Sequence, residues 1–258
     1  MEEHFSLAKA TARRINQTYA ITEPWSIDIE DLAMALRVFV KEERLKDAAA
    51  SLVSKNGLGV ISIDSQITST ARRRFAIAHE LGHFLLHSNR IPSFICTDEM
   101  FLQWYHGCER EPEANSFAAE LLMPPDLFRS YTSKRPLEKS ILELCANQFL
   151  TSLTATCLRY IEVGHYPCIL FCTKDGNIKW YKKSPHFRFK PMYHVGDRVS
   201  DLSCAGDYFD NGVFESDTQE VQFDAWLKTY DDVEQTFIYE LPIIFENYGI
   251  SLSLVWTG

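Results

Sequence analysis

No run of about 18 apolar residues, the length a membrane span needs, occurs in this 258-residue chain, so no membrane-spanning helix is expected. The opening residues Met1-Glu2-Glu3-His4 lack a basic stretch followed by an apolar one, and no signal peptide is expected. There is no internal repeat and no low-complexity tract. Positive charge is in deficit. The 26 Lys and Arg face 35 Asp and Glu, a formal net charge of −9, which excludes a chain whose whole surface binds nucleic acid. The seven cysteines are odd in number and accompany no secretion signal, so they read as reduced thiols of a cytoplasmic protein. Cys168 and Cys172 sit in the apolar run Cys168-Ile169-Leu170-Phe171-Cys172, where core thiols are expected rather than metal ligands.

What remains is ordinary for a globular protein, with 46% hydrophobic and 24% charged residues. The length allows one domain or two with a sizeable core.

One stretch carries chemistry. His79-Glu80-Leu81-Gly82-His83 lies inside the helical periodicity of Arg72 to His87. At about 100° per residue, His79, Glu80 and His83 share one arc, while Ile77, Leu81, Phe84 and Leu85 cluster opposite. Two imidazoles a turn apart are the geometry for holding one Zn²⁺ with two nitrogens from a single helix. Glu80 can reach a metal-bound water without taking a coordination place. Gly82 costs about 1 kcal/mol against alanine in a helix interior, which is understandable if something must approach the backbone there. His87, one turn further along the same face, is expected behind a ligand or facing solvent rather than in the ligand set.

A catalytic zinc needs a third protein ligand and one open position. The segment Glu109 to Pro125 reads as a helix, with Pro112 in its first turn and Pro124-Pro125 ending it. Glu113 and Glu120 are seven apart and lie nearly on one face, and spacing leaves the choice between them open. Arg72-Arg73-Arg74 begins the metal helix, with Ser69 and Thr70 as candidate caps. Positive charge there opposes the helix macrodipole, so acidic partners are expected.

The rest of the chain frames these helices. Residues 4–20 have helical spacing, and 27–40 read as a second helix capped by Asp28. Residues 48–54 and 59–64 read as strands around the hairpin signal Asn56-Gly57. A long connection follows at 88–108, whose aromatic part, 93–106, is expected to wall a substrate cleft. Residues 136–150 and 151–163 read as paired helices. The second carries a single basic residue, Arg159, which suits an αα-hairpin better than a groove-reading helix. From Gly164 the pattern turns to strands at 169–173 and 178–181 around Asp175-Gly176-Asn177. Residues 174–198 hold seven Lys or Arg against two acids, and 201–258 hold twelve acids against Lys228 alone, a polarity that serves either pairing between these segments or a partner.

Two stretches, Arg73 to His87 and Glu113-Ala114-Asn115-Ser116-Phe117-Ala118-Ala119-Glu120-Leu121-Leu122-Met123-Pro124, together resemble the ImmA/IrrE family of metallo-endopeptidases, in the family's order and at a similar separation. A looser likeness covers about residues 5–160, and residues 165–258 carry no such motif. The resemblance implies zinc held by His79, His83 and Glu113, with Glu80 as the catalytic carboxylate. It implies as substrate a DNA-binding repressor with a helix-turn-helix domain, whose cleavage switches on genes for mobile-element transfer or stress responses.

The expected fold class is α+β. A zincin-like helical N-terminal domain with a small β-sheet (1–134) precedes a helical hairpin, with a helix-turn-helix-like unit as the alternative (135–164), and a sheet-rich regulatory or partner-binding region (165–258). The expected protein is a cytoplasmic zinc-dependent endopeptidase without membrane partners and without direct nucleic-acid binding. Tyr105, His106 and Arg110 are candidate donors to the oxyanion. An expectation of another class is a zinc-binding regulatory module that captures a repressor or senses a ligand with little proteolysis. An intact Glu80 argues against it.

Overall fold

A computed structural model describes residues 2–46, 48–88, 93–96, 110–213, 216–228 and 236–258. The described chain divides into two compact units, residues 1–127 with 146–152, and residues 128–145 with 153–258. The architecture is α+β, as expected. Among the described residues no helix is long and apolar enough to cross a membrane.

The first unit opens with α1 (Glu2–Thr18), whose Ala8, Ala12 and Ile15 are buried. Helix α2 (Ile29–Ala35) starts at Asp28, whose carboxylate accepts from the Glu30 N–H at 2.8 Å. The helical spacing predicts this helix as far as Val40. It ends instead at Ala35, and Val38–Glu43 form strand β1. Leu32, Leu36 and Val40 satisfy a helical spacing, but Val38-Phe39-Val40 is a β-branched and aromatic run. Arg37 at φ 65° turns the chain into it.

Strands β2 (Ala50–Lys55) and β3 (Leu58–Asp64) form the expected hairpin. Asn56 (φ 52°) and Gly57 (φ 74°) both take the left-handed backbone that a two-residue hairpin turn requires. With β4 (Ser93–Cys96) the sheet has the order β1-β3-β2-β4, in which β1 runs parallel to β3 and the other pairs are antiparallel.

Helix α3 (Thr70–His87) begins at Ser69, whose hydroxyl accepts from the Arg72 N–H at 3.3 Å. Its apolar face packs into the core formed by the sheet, α1, α2 and α4 (Arg110–Leu122). Ile77 and Leu81 are fully buried there, each contributing about 1.5–3 kcal/mol by leaving water. Of the arginines at its start, Arg73 finds the expected acidic partners. Arg73 bonds Glu30 Oε1 at 2.7 Å and Glu42 Oε2 at 3.2 Å, while the buried Arg74 donates to the Ile27 and Pro24 carbonyls. Helices α5 (Pro125–Thr132), α6 (Lys139–Phe149) and α7 (Leu153–Val163) follow.

The second unit is built on an antiparallel five-stranded sheet, order β6-β5-β9-β8-β7. Its strands are β5 (Cys168–Lys174), β6 (Asn177–Lys183), β7 (Gln219–Gln222), β8 (Phe237–Phe245) and β9 (Ile250–Trp256). Helix α8 (Cys204–Asn211) packs on β8 and β9. Glu240 on β8 is fully buried and accepts from the Cys204 and Ala205 N–H groups, Trp226 Nε1 and Ser253 Oγ. Pairing of the basic and acidic segments is seen between Arg198 and Asp210. Cys168 and Cys172 are buried, and burial pushes both thiols up to about 12.

Candidate metal centre

Helix α3 carries His79, Glu80 and His83, all with 0% exposure. Helix α4 lies alongside at very short range, because a Cβ on Gly82 would stand 3.1 Å from both the Ala114 Cα and Phe117 Cδ1. The glycine that weakens the helix is therefore what admits its neighbour.

From α4, Glu111 reaches the histidine pair. Its Oε2 is 3.1 Å from His79 Nε2, its Oε1 is 3.3 Å from His83 Nε2, and the two Nε2 atoms are 3.0 Å apart. Among the described residues, His79, His83 and Glu111 form the group whose ligand atoms lie close enough to hold one metal ion. Asn115, one turn after Glu111 and fully buried, offers Oδ1 to His79 Nδ1 at 2.9 Å. That contact places the proton on Nδ1 and leaves Nε2 with a lone pair facing the Glu111 carboxylate.

The charges agree. Burial lowers His83 to about 4 and also lowers His87, so both rings are neutral near pH 7. Burial would raise the Glu111 carboxyl, but contacts with His79 and His83 outweigh it and hold the group well below the usual carboxylate range. An ionised carboxylate and imidazole lone pairs converge on one point, a donor set that suits a cation. Nitrogen and oxygen ligands about 2.0–2.1 Å from a tetrahedral Zn²⁺ lie roughly 3.3 Å from one another. The separations of 3.0–3.3 Å fit that ion.

Glu113 takes a different place from the one the family resemblance implied. Its Oε2 lies 2.9 Å from His87 Nε2, and the structure brings Glu111, not Glu113, to His79 and His83. Residues two apart on a helix point about 200° apart. The face shared by Glu113 and Glu120 turns to other partners, Glu120 bonding Arg13 at 2.5 Å. Spacing alone does not single out Glu111, although it shares an i,i+4 face with Asn115 and the small Ala114 and Ala118. Arg110 opens α4, and its charge acts on His87. Tyr105, His106 and the part of the aromatic segment from 97 to 106 lie outside the described residues.

Residues 33–160 match the model of the IrrE N-terminal-like domain, Peptidase_M78. No curated protein matches the chain. Among solved structures, a Mycobacterium tuberculosis transcriptional regulator is similar over 100% of this chain and 76% of its own, with a TM-score of 0.61 and 16% identity. At that identity the likeness speaks for the fold alone. Helices α3 and α4 both lie within the matched stretch, and through it the chain belongs to the ImmA/IrrE family, whose model bears the name of a peptidase.

Proposed function

We propose that this protein is a cytoplasmic zinc-dependent endopeptidase that cuts a DNA-binding helix-turn-helix repressor at one or a few sites and thereby switches on gene expression. The observation that carries the reading is the convergence of His79 Nε2, His83 Nε2 and the Glu111 carboxylate, with the buried Glu80 next to His79 on the same helix. His79, His83 and Glu111 are the proposed ligands. Bound there, zinc would supply a Lewis acid that polarises a peptide carbonyl and makes a water acidic near neutral pH.

Glu80 is the proposed general base. Its carboxylate takes a proton from the attacking water and returns it to the nitrogen of the departing amine. Asn115 holds the His79 ring by accepting from Nδ1. A protease of this kind inside a cell must be selective. The family resemblance supplies the repressor as substrate class, and the regulator of similar fold is compatible with a role in gene control.

The test mixes purified protein, zinc and helix-turn-helix repressors encoded nearby, and follows fragments by mass spectrometry. Unstructured casein and the Glu80→Gln protein serve as controls. Discrete repressor fragments that vanish in Glu80→Gln are expected. Rapid digestion of casein with the repressor untouched would point to a general protease. Capture of the repressor without cutting would favour the zinc-binding regulatory module.

A further inference from the structure

Behind the converging ligand atoms runs a line of hydrogen bonds that leads away from the site. Glu113 Oε2 is 2.9 Å from His87 Nε2. His87 Nδ1 is 3.0 Å from His83 Nδ1. The other nitrogen of His83, Nε2, faces His79 and Glu111. The line is shielded, with His83 at 0% and His87 at 6% exposure.

The direction of each bond follows from chemistry. The carboxylate oxygen is the acceptor of this contact, so His87 donates from Nε2. A neutral imidazole that donates from one nitrogen accepts at the other, so His87 Nδ1 is an acceptor. With no cation between them, two acceptors cannot face each other at 3.0 Å, so His83 donates from Nδ1; the Nε2 atoms of His79 and His83, also 3.0 Å apart, are the acceptor pair that a cation would hold. The lone pair of His83 is then on Nε2, aimed where the ligand atoms meet.

We propose that Glu113 and His87 act as a two-step relay that fixes His83 in the tautomer whose Nε2 can ligate the metal. Both are positioning residues. Glu113 sets the proton on His87, and His87 sets it on His83. His79 receives the same service in one step from Asn115 Oδ1. Each imidazole of the α3 pair thus has its tautomer fixed by side chains outside the pair. The relay rests on the metal-site reading above, but it can be measured without metal.

The experiment uses the full chain, metal-free and ¹⁵N-labelled at histidine. Long-range ¹H–¹⁵N correlation spectra report which nitrogen of His83 is protonated. Zinc affinity is measured in parallel by chelator competition. Wild type should carry the His83 proton on Nδ1. Glu113→Leu and His87→Phe should move it to Nε2 or mix the two forms, and should weaken zinc binding roughly 10- to 100-fold. Glu113→Gln and His87→Gln keep an acceptor oxygen at each step and should retain most of the affinity and the Nδ1 tautomer, which a purely space-filling role would not require.

A His83 proton on Nε2 in wild type overturns the relay, whether or not any variant folds. Unchanged tautomer and affinity in Glu113→Leu also overturn it. Wild-type protein with the Nδ1 tautomer but no affinity for zinc would instead sink the metal-site reading and leave the relay standing.

Discussion

Gly82 and Ala114 meet backbone to backbone, since a Cβ on the glycine would lie 3.1 Å from the Ala114 Cα. The contact sits one residue before His83 and therefore sets how closely Glu111 can approach the histidine pair.

Enlarging Gly82 should open the site. Alanine gains about 1 kcal/mol in helix propensity, but crowding a packed contact costs about 1–3 kcal/mol. Valine adds bulk that cannot be absorbed against a backbone atom. Gly82→Val is expected to destabilise the protein by about 2 kcal/mol and to weaken metal binding, with Gly82→Ala closer to neutral in stability. Urea unfolding and chelator competition measure the two effects. Unimpaired metal affinity in Gly82→Val would show that the helices do not need this approach.

The carboxylates of α4 should separate cleanly. Glu111→Ala is expected to lose metal affinity on the scale of His79→Ala or His83→Ala, well beyond the roughly 10- to 100-fold cost of an outer partner. Glu120→Ala should leave affinity intact, because that carboxylate is engaged with Arg13. Metal content by mass spectrometry of the native proteins decides it. A Glu113→Ala protein emptier than Glu111→Ala would restore the ligand set implied by the family resemblance.

Glu80→Gln should keep its metal and lose about 10²- to 10⁴-fold in cleavage rate, the usual worth of a general base. Single-turnover cleavage with metal content measured on the same sample is the check. Equal activity in the variant would mean that another group takes the proton.

Alkaline pH should loosen the second unit. Free thiols titrate at about 8.5, whereas Cys168 and Cys172 are pushed up to about 12 by burial. The unfolded chain then gives up these protons first. The stability they contribute is full below about pH 8.5 and falls as pH rises towards 12. Denaturant unfolding should show this decline, and Cys168→Ala with Cys172→Ala should make it shallower. At pH 8 in the native protein, both thiols should resist a disulfide reagent that labels them once the chain unfolds.

The hairpin at Asn56-Gly57, the caps at Asp28 and Ser69 and the two faces of α3 were legible because each is a local rule. A turn needs left-handed residues, a cap needs a short acceptor, and a helix repeats its face every three to four residues. Strand β1 is not legible locally, because Leu32, Leu36 and Val40 fit both a continuing helix and, for Val40, an alternating strand. Only pairing with β3, beyond any local window, decides between them. Likewise His79 and His83 are fixed relative to each other by one helix, while the rotation of α4 against α3 is a packing outcome. That is why the histidines could be read from spacing and Glu111 could not. The network of Asn115, His87 and Glu113 depends on the same docking.

Glu240 ends four separate hydrogen bonds, from the first turn of α8, from Trp226 and from Ser253. These donors belong to three stretches of chain that are far apart in sequence. One carboxylate therefore makes their fluctuations interdependent. Amide exchange at Cys204 and Ala205 should follow the opening of β8 rather than the fraying of their own helix, and the second unit should lose its protection as a block.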